Sequence, residues 1–221
     1  MVPNLTIDLF SDVVCPWCYI GATRLEQALA GMTDELQAEV CYHPFFLVPG
    51  VPKQGLSVPD MLRQKYGADP KQLWVRAESA ARHSGLALDL SLQSMMYPTA
   101  AAHTLLRHAH PKGTQPALAR ALFEAYFQQA QNIGDESVLA GIAEQHGFDQ
   151  SEALELCTAS AELELTQQEA LGAAQGGIRG VPFFVFAGQL AVSGAQSVAV
   201  LQAAMRQALA PGTPSEAPAP A

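Results

Sequence analysis

Two cysteines three positions apart, Cys15 and Cys18, enclose Pro16-Trp17 in the stretch SDVVCPWCYIG. The pair sits where a strand pattern gives way to a helix pattern, and that junction restricts the fold more than any other feature. Upstream, NLTIDLF (4–10) is rich in β-formers and partly alternates, which predicts a first strand. Downstream, Leu25, Leu29 and Met32 recur at helical spacing, and Cys18 with Ala22 extends that stripe backwards. Cys18 is therefore expected on the buried face of a first helix, with Cys15 one turn earlier at its mouth. Pro16 falls at the first helical position, where a missing N–H costs nothing. LQAEVCYHPFFLV (36–48) predicts a second strand running into Pro49-Gly50. Strand, helix and strand make a βαβ unit with the cysteine pair at its first turn.

From about 57 to 176 the chain is rich in Ala, Leu and Gln and keeps helical periods. Helices are expected over 58–66, 70–84, 99–109, 116–131, 136–146, 150–157 and 160–175. Pro70 and Pro116 mark first turns, Asp135 an N-cap, and Asp149 with Glu152 has capping-box spacing. Gly67, Gly85 and Gly147 read as stops. Strand character returns in PFFVF and QLAVS, joined by Ala187-Gly188, and SVAVLQAAMRQAL predicts a last helix. A CxxC at the first strand–helix junction of a βαβ…ββα order is the signature of a thioredoxin-like redox motif. The expected fold is α/β and thioredoxin-like, with a large all-helical insertion. Residues 1–56 and 177–209 would form the thioredoxin-like domain and 57–176 the inserted helical domain. The Pro/Ala-rich stretch 210–221 would be a disordered tail.

A CxxC pair can hold a metal, close a structural disulfide or carry electrons. A four-cysteine zinc site usually shows two close pairs, and the remaining cysteines, Cys41 and Cys157, lie far off in strand and helix interiors. No metal is therefore expected, and Cys41 and Cys157 are expected to be buried and inert. A disulfide within one helical turn closes a tiny loop and stabilises little. Redox exchange suits the pair better. A helix N-terminus favours a thiolate at Cys15 as nucleophile, and Cys18, one turn on, can resolve the mixed disulfide. In RGVPFFVF, Pro182 opens a strand and leaves the Val181 backbone free to dock a substrate chain, and a cis Val181–Pro182 bond fits such a dock. Asp8, seven residues before Cys15, is either a proton shuttle for Cys18 or an exposed strand residue. Asp12 reads as a loop or capping residue. His103 reads as a structural histidine, His108 and His110 as a solvated pair, and His43 as the end of the second strand.

The net charge of −9 and a pI near 5.0 give no general attraction to phosphate backbones or anionic lipid, so neither nucleic acid nor a membrane surface is an expected partner. MVPNLTIDLFSD lacks the basic and apolar regions of a signal peptide, and no run of 18 apolar residues exists. A cytoplasmic location is expected, where thiols stay reduced.

SDVVCPWCYIG, followed in order by AHTLLRHA, ALFEAYFQQAQNIGD, VLAGIAEQHGFD and GVPFFVFAGQLAVSGAQ, resembles the DsbA family of thiol–disulfide oxidoreductases, in particular its cytoplasmic FrnE-like branch. The resemblance runs from about residue 4 to 208. It implies a thioredoxin fold with an inserted helical domain, a cis-proline loop at Val181-Pro182, Cys15 as nucleophile and Cys18 as resolving cysteine. It places Asp8 roughly where relatives carry a buried acid. Pro98-Thr99 departs from the Asn-Thr usual in the branch, and no second cysteine pair follows in the tail. Glutathione-dependent relatives, 2-hydroxychromene-2-carboxylate isomerase and kappa-class glutathione transferases, share the fold but characteristically carry serine at the Cys15 position.

The expected function is thus a cytoplasmic protein thiol–disulfide oxidoreductase exchanging disulfides through CPWC, with Pro16 and Trp17 tuning the pair. The alternatives are a glutathione-dependent isomerase or transferase and a redox-inactive binding module. No cofactor is expected beyond the Cys15–Cys18 disulfide, with glutathione a candidate co-substrate. The partners would be disulfides and thiols of proteins or small molecules. The inserted helices are expected to fold over the cysteine face and, with Trp17, to give it an apolar wall.

Overall fold

The computed structural model describes residues 2–67 and 69–210. Of the expected tail 210–221, all but Ala210 lies outside the described residues. Strand β1 (Asn4–Ser11) leads to helix α1 (Pro16–Ala30) and strand β2 (Gln37–Pro44). Then come β3 (Leu56–Ser57), α2 (Val58–Tyr66), α3 (Pro70–His83) and β4 (Met95–Met96). Helices α4 (Ala100–Ala109), α5 (Gln115–Phe127), α6 (Glu136–Glu144), α7 (Gln150–Thr158) and α8 (Ser160–Gln175) follow. The chain closes with β5 (Phe183–Phe186), β6 (Leu190–Ser193) and α9 (Val198–Leu209).

The main sheet has the order β2-β1-β5-β6, with β1 and β2 parallel and the other neighbours antiparallel. Alternation in β1 sends Leu5, Ile7 and Leu9 to one face, where Leu9 stands beside Phe184 and Ile7 beside Phe186. That face is covered by α1: Gly21 comes so close to Pro182 and Phe184 that a Cβ there would meet the Pro182 ring at 2.8 Å. All these sheet residues are buried, as are Leu25 of α1 and Leu201 and Met205 of α9, which packs against α1. Thr6, Asp8 and Phe10 point to the opposite face, together with Glu39, Cys41 and His43 of β2. Helix α8 packs against β2.

Helices α2 to α8 all lie in sequence between β2 and β5, close to the expected ranges. Some ends differ. The second strand was expected to reach 48 but stops at Pro44, whose partner Ser11 ends β1; Leu47 then donates its N–H to the Asp12 carboxylate rather than to a strand. The helix expected over 116–131 stops at Phe127. Ala130 takes a left-handed φ of 51°, which turns the chain so that Ile133 is buried. The short β3–β4 ladder was not foreseen, because two-residue strands leave no period to read.

Three side chains tie the helices to the sheet unit. Arg24 of α1 donates to Ser84 Oγ and the Ala80 carbonyl at the end of α3, and to the Ala195 carbonyl before α9. Gln115, at the start of α5, exchanges hydrogen bonds with both the N–H and the carbonyl of Tyr42. It thereby satisfies the Tyr42 backbone groups on the free edge of β2. Tyr19 stacks on Phe123 and Phe127 of α5, and its hydroxyl accepts from Gln128.

Candidate active site

Cys15 is the N-cap of α1, with extended backbone angles, and Pro16 occupies the first turn. The Cys15 N–H donates to the Asp12 carbonyl, while its own carbonyl accepts from Cys18 and Tyr19. No side chain caps the helix, so the positive end of α1 is presented at the Cys15 sulfur. Cys15 Sγ lies 3.9 Å from the Val181 carbonyl, to which it donates, and the Val181–Pro182 bond is cis. Gly21 makes this approach possible: a side chain there would push the Pro182 loop away from α1. Its mid-helix position, which costs stability relative to alanine, was a signal the sequence reading passed over.

Cys18 is fully buried. Burial pushes its thiol well above the usual range, and the neighbouring Cys15, by hydrogen bond and charge, pushes the same way. The Asp12 charge adds to the rise, while a main-chain hydrogen bond from Asp12 opposes it. Cys15 is also nearly inaccessible, at 3% exposure. The insertion contributes to the wall beside it. A cavity of about 350 Å3 beside Cys15 and Trp17 is walled by Met61 and Leu62 of α2, Trp74 of α3, and Tyr126 and Phe127 at the end of α5. Arg76 and Gln93 add polar groups to a largely apolar lining.

Asp8 requires a correction. Its register partner is Cys41, so it stands on the face of the sheet opposite α1 and Cys18. There its carboxylate pairs with His43 Nε2 at 2.7 Å. The acid whose charge is felt at Cys18 is Asp12, expected only as a loop or capping residue. Asp12 is buried, accepts the Leu47 N–H at 2.8 Å, and lies 3.4 Å from His103 Nε2. His103, also buried and beside Phe46, thus reaches the site from α4. Sequence distance concealed this pairing, since 91 residues separate the two.

The other cysteines also diverge. All four carry free thiols. Cys157 is buried as expected, and burial pushes its thiol up to about 12. Cys41 is not buried. It is partly exposed, and desolvation together with the Asp8 and Glu39 carboxylates raises its thiol. His108 and His110 separate: His108 pairs with Glu162, which also holds Arg107, while His110 faces Cys41.

The profile of the DSBA-like thioredoxin domain matches residues 6–206. A probable DsbA oxidoreductase from Streptomyces coelicolor is similar at 32% identity and a TM-score of 0.85, over 96% of this chain and 93% of that one. YwbO, an uncharacterized protein of Bacillus subtilis strain 168, is 29% identical over 144 residues, 65% of this chain and 66% of YwbO. The chain therefore matches slightly less than two thirds of that relative's length. Two solved structures resemble it in fold. A 2-hydroxychromene-2-carboxylate isomerase has 18% identity and a TM-score of 0.71, with 91% and 95% of the two chains covered. The cytosolic disulfide reductase DsbM from Pseudomonas aeruginosa, solved with GSH, has 20% identity and a TM-score of 0.58, with 81% and 84% covered. Among the described residues no helix is long and apolar enough to cross a membrane.

Proposed function

This chain belongs to the DSBA-like thioredoxin domain family, and from that premise we propose that it is a thiol–disulfide oxidoreductase working through Cys15 and Cys18. The observation that carries this reading is the placement of Cys15: its sulfur lies at the uncapped start of α1 and beside the Val181 carbonyl, with Cys18 hydrogen-bonded behind it. The Cys15 thiolate attacks a substrate disulfide. One sulfur of the substrate bonds to Cys15, and the other leaves as a thiolate. Cys18 then gives up its proton, attacks Cys15 and expels the second substrate thiolate, which leaves a Cys15–Cys18 disulfide. An external thiol reduces that bond and closes the cycle. The same steps reversed would oxidise a dithiol.

A buried Cys18 with a raised pKa needs a proton acceptor before it can attack. Asp12 takes that role in this reading, with His103 and the Leu47 N–H holding its carboxylate in place. Pro16, Trp17, Val181 and Pro182 shape the approach to Cys15. The apolar cavity suits an uncharged side chain next to the substrate disulfide. Glutathione is proposed as a reducing thiol on the precedent of DsbM, which was solved with GSH. A cytoplasmic location, where thiols stay reduced, is part of this reading and is compatible with the cytosolic DsbM precedent. We also treat 1–56 with 177–209 as the catalytic unit and 57–176 as the substrate-facing insertion, which the lining of the cavity supports.

The same cavity would accommodate an organic substrate, and on that account a glutathione-dependent isomerase or transferase is the second reading. Insulin reduction driven by a thiol donor, run beside glutathione conjugation of a small electrophile, separates the two. Disulfide reduction is expected, and Cys18→Ser should accumulate mixed disulfides visible on a non-reducing gel. Conjugation without reduction would replace the first reading with the second. Neither activity would leave a binding module.

A further inference from the structure

Strand β2 carries Glu39, Cys41 and His43 at alternate positions, so all three project from the face turned away from α1. His110, the C-cap of α4, comes down on this row. Its Nε2 lies 3.7 Å from Cys41 Sγ and 3.8 Å from Glu39 Oε1. The three donor atoms fall within 4.8 Å of one another. We propose that Glu39, Cys41 and His110 form a surface site for a thiophilic divalent cation of the Zn2+ class, separate from the Cys15–Cys18 pair.

The donor spacing fits. Zinc bonds of about 2.3 Å to sulfur and about 2.0–2.2 Å to nitrogen and oxygen put tetrahedral ligand atoms roughly 3.3–3.6 Å apart. The two separations from His110 exceed that by a few tenths of an ångström, and the third is within 4.8 Å, a gap that rotation of the open Glu39 side chain can close. The donor set fits as well. Thiolate and imidazole select zinc and its neighbours over magnesium or calcium, which prefer oxygen ligands. The charge fits too. Cys41 stands between two carboxylates, Glu39 beside it on β2 and Asp8 across from it on β1. A divalent cation would neutralise this cluster. Binding replaces the Cys41 thiol proton, which passes to solvent, by the metal. Three protein ligands leave a fourth position for water, because Glu39 and His110 are both largely open to solvent. Asp8 bonds His43 and lies next to the thiol, so it would act from the second layer around the ion.

The experiment must first silence the other thiols that bind metals. The full chain carrying Cys15→Ser and Cys18→Ser retains Cys41 and the buried Cys157. Titration with Co2+ should saturate at one equivalent and give the near-ultraviolet absorption of a cobalt–thiolate bond, which Zn2+ abolishes by displacement. Adding Cys41→Ser should remove the band, and His110→Gln should weaken binding by about tenfold or more. The wild-type chain, with Cys15–Cys18 held as a disulfide, should give the same band. The proposal is overturned if no band forms with Co2+ in excess, if the band survives Cys41→Ser, or if His110→Gln leaves the affinity unchanged. None of these readouts depends on disulfide exchange, so the outcome stands apart from the activity proposed for Cys15.

Discussion

Cys18, on the α1 side of the β1–β2 pair, is sealed from water with Cys15 and Asp12 beside it. Cys41, on the other side of the same two strands, is partly exposed and meets Glu39, Asp8 and His110. Desolvation is the first cause of a raised thiol at both positions, so the pKa direction does not distinguish them. Access and neighbours do. A dry thiol beside another sulfur is placed to react with that sulfur. A wet thiol beside an imidazole and two carboxylates is open to solutes, metal ions among them. Two cysteines, one on α1 and one on β2, acquire different chemistry because they lie on opposite sides of the sheet.

The sharpest break in the comparison is the pair of single substitutions at the sulfurs. Cys15→Ser should lower insulin reduction by about a thousandfold or more, because no other group replaces the nucleophile. Cys41→Ser should leave the same rate within roughly twofold, because it lies on the sheet face turned away from α1. Equal losses would mean that the two faces are chemically coupled.

Asp12→Asn keeps an acceptor for the Leu47 N–H but removes the carboxylate proposed to take the Cys18 proton. Resolution of a trapped mixed disulfide should slow by roughly a hundredfold at neutral pH, in the range of general-base effects. The loss should shrink as pH rises and hydroxide takes over the proton. A uniform loss at every pH would leave Asp12 a purely structural role. Asp8→Asn, on the opposite face, should do nothing to this step.

Gly21→Ala tests the contact that holds the Pro182 loop against α1. A Cβ at 2.8 Å from the Pro182 ring forces a shift, and overpacking of this kind costs about 1–3 kcal/mol. Exchange should fall by roughly tenfold, with a lower urea midpoint. An unchanged rate and midpoint would show that the loop yields freely.

The smallest effect lies in the pH dependence of stability. Cys18 and Cys157 hold their protons more tightly when folded, so above the ordinary thiol range the unfolded chain loses protons first. Their contribution is fully present below about pH 8.5 and is lost as pH rises, for Cys157 towards its folded value of about 12. Urea midpoints of the reduced protein should therefore drop between about pH 8 and 10, and Cys157→Ala should flatten the slope. A midpoint that rises over this interval would reverse the sign.

The cysteine pair was legible because its geometry is local: a three-residue spacing across a helix start, marked by Pro16, fixes both sulfurs on one turn. The helical block was legible in the same way, through caps such as Asp135 and the Asp149–Glu152 box, which involve only near neighbours. Asp8 shows the limit. Alternation puts it opposite Leu9, but a sheet covered on both faces gives no sequence sign of which face meets the cysteines.

The sequence by itself determined the α/β order, the site of the CPWC turn and the position of Pro182, because strand period, helix start and proline chemistry act over a few residues. Only the tertiary structure decided that Asp12 and His103 meet across 91 residues, that α2 and α3 close over Cys15, and that His110 reaches Cys41 across 69. These contacts depend on which faces of distant helices and strands are pressed together. That choice is made by burial of the whole apolar surface, and no short stretch of chain encodes it.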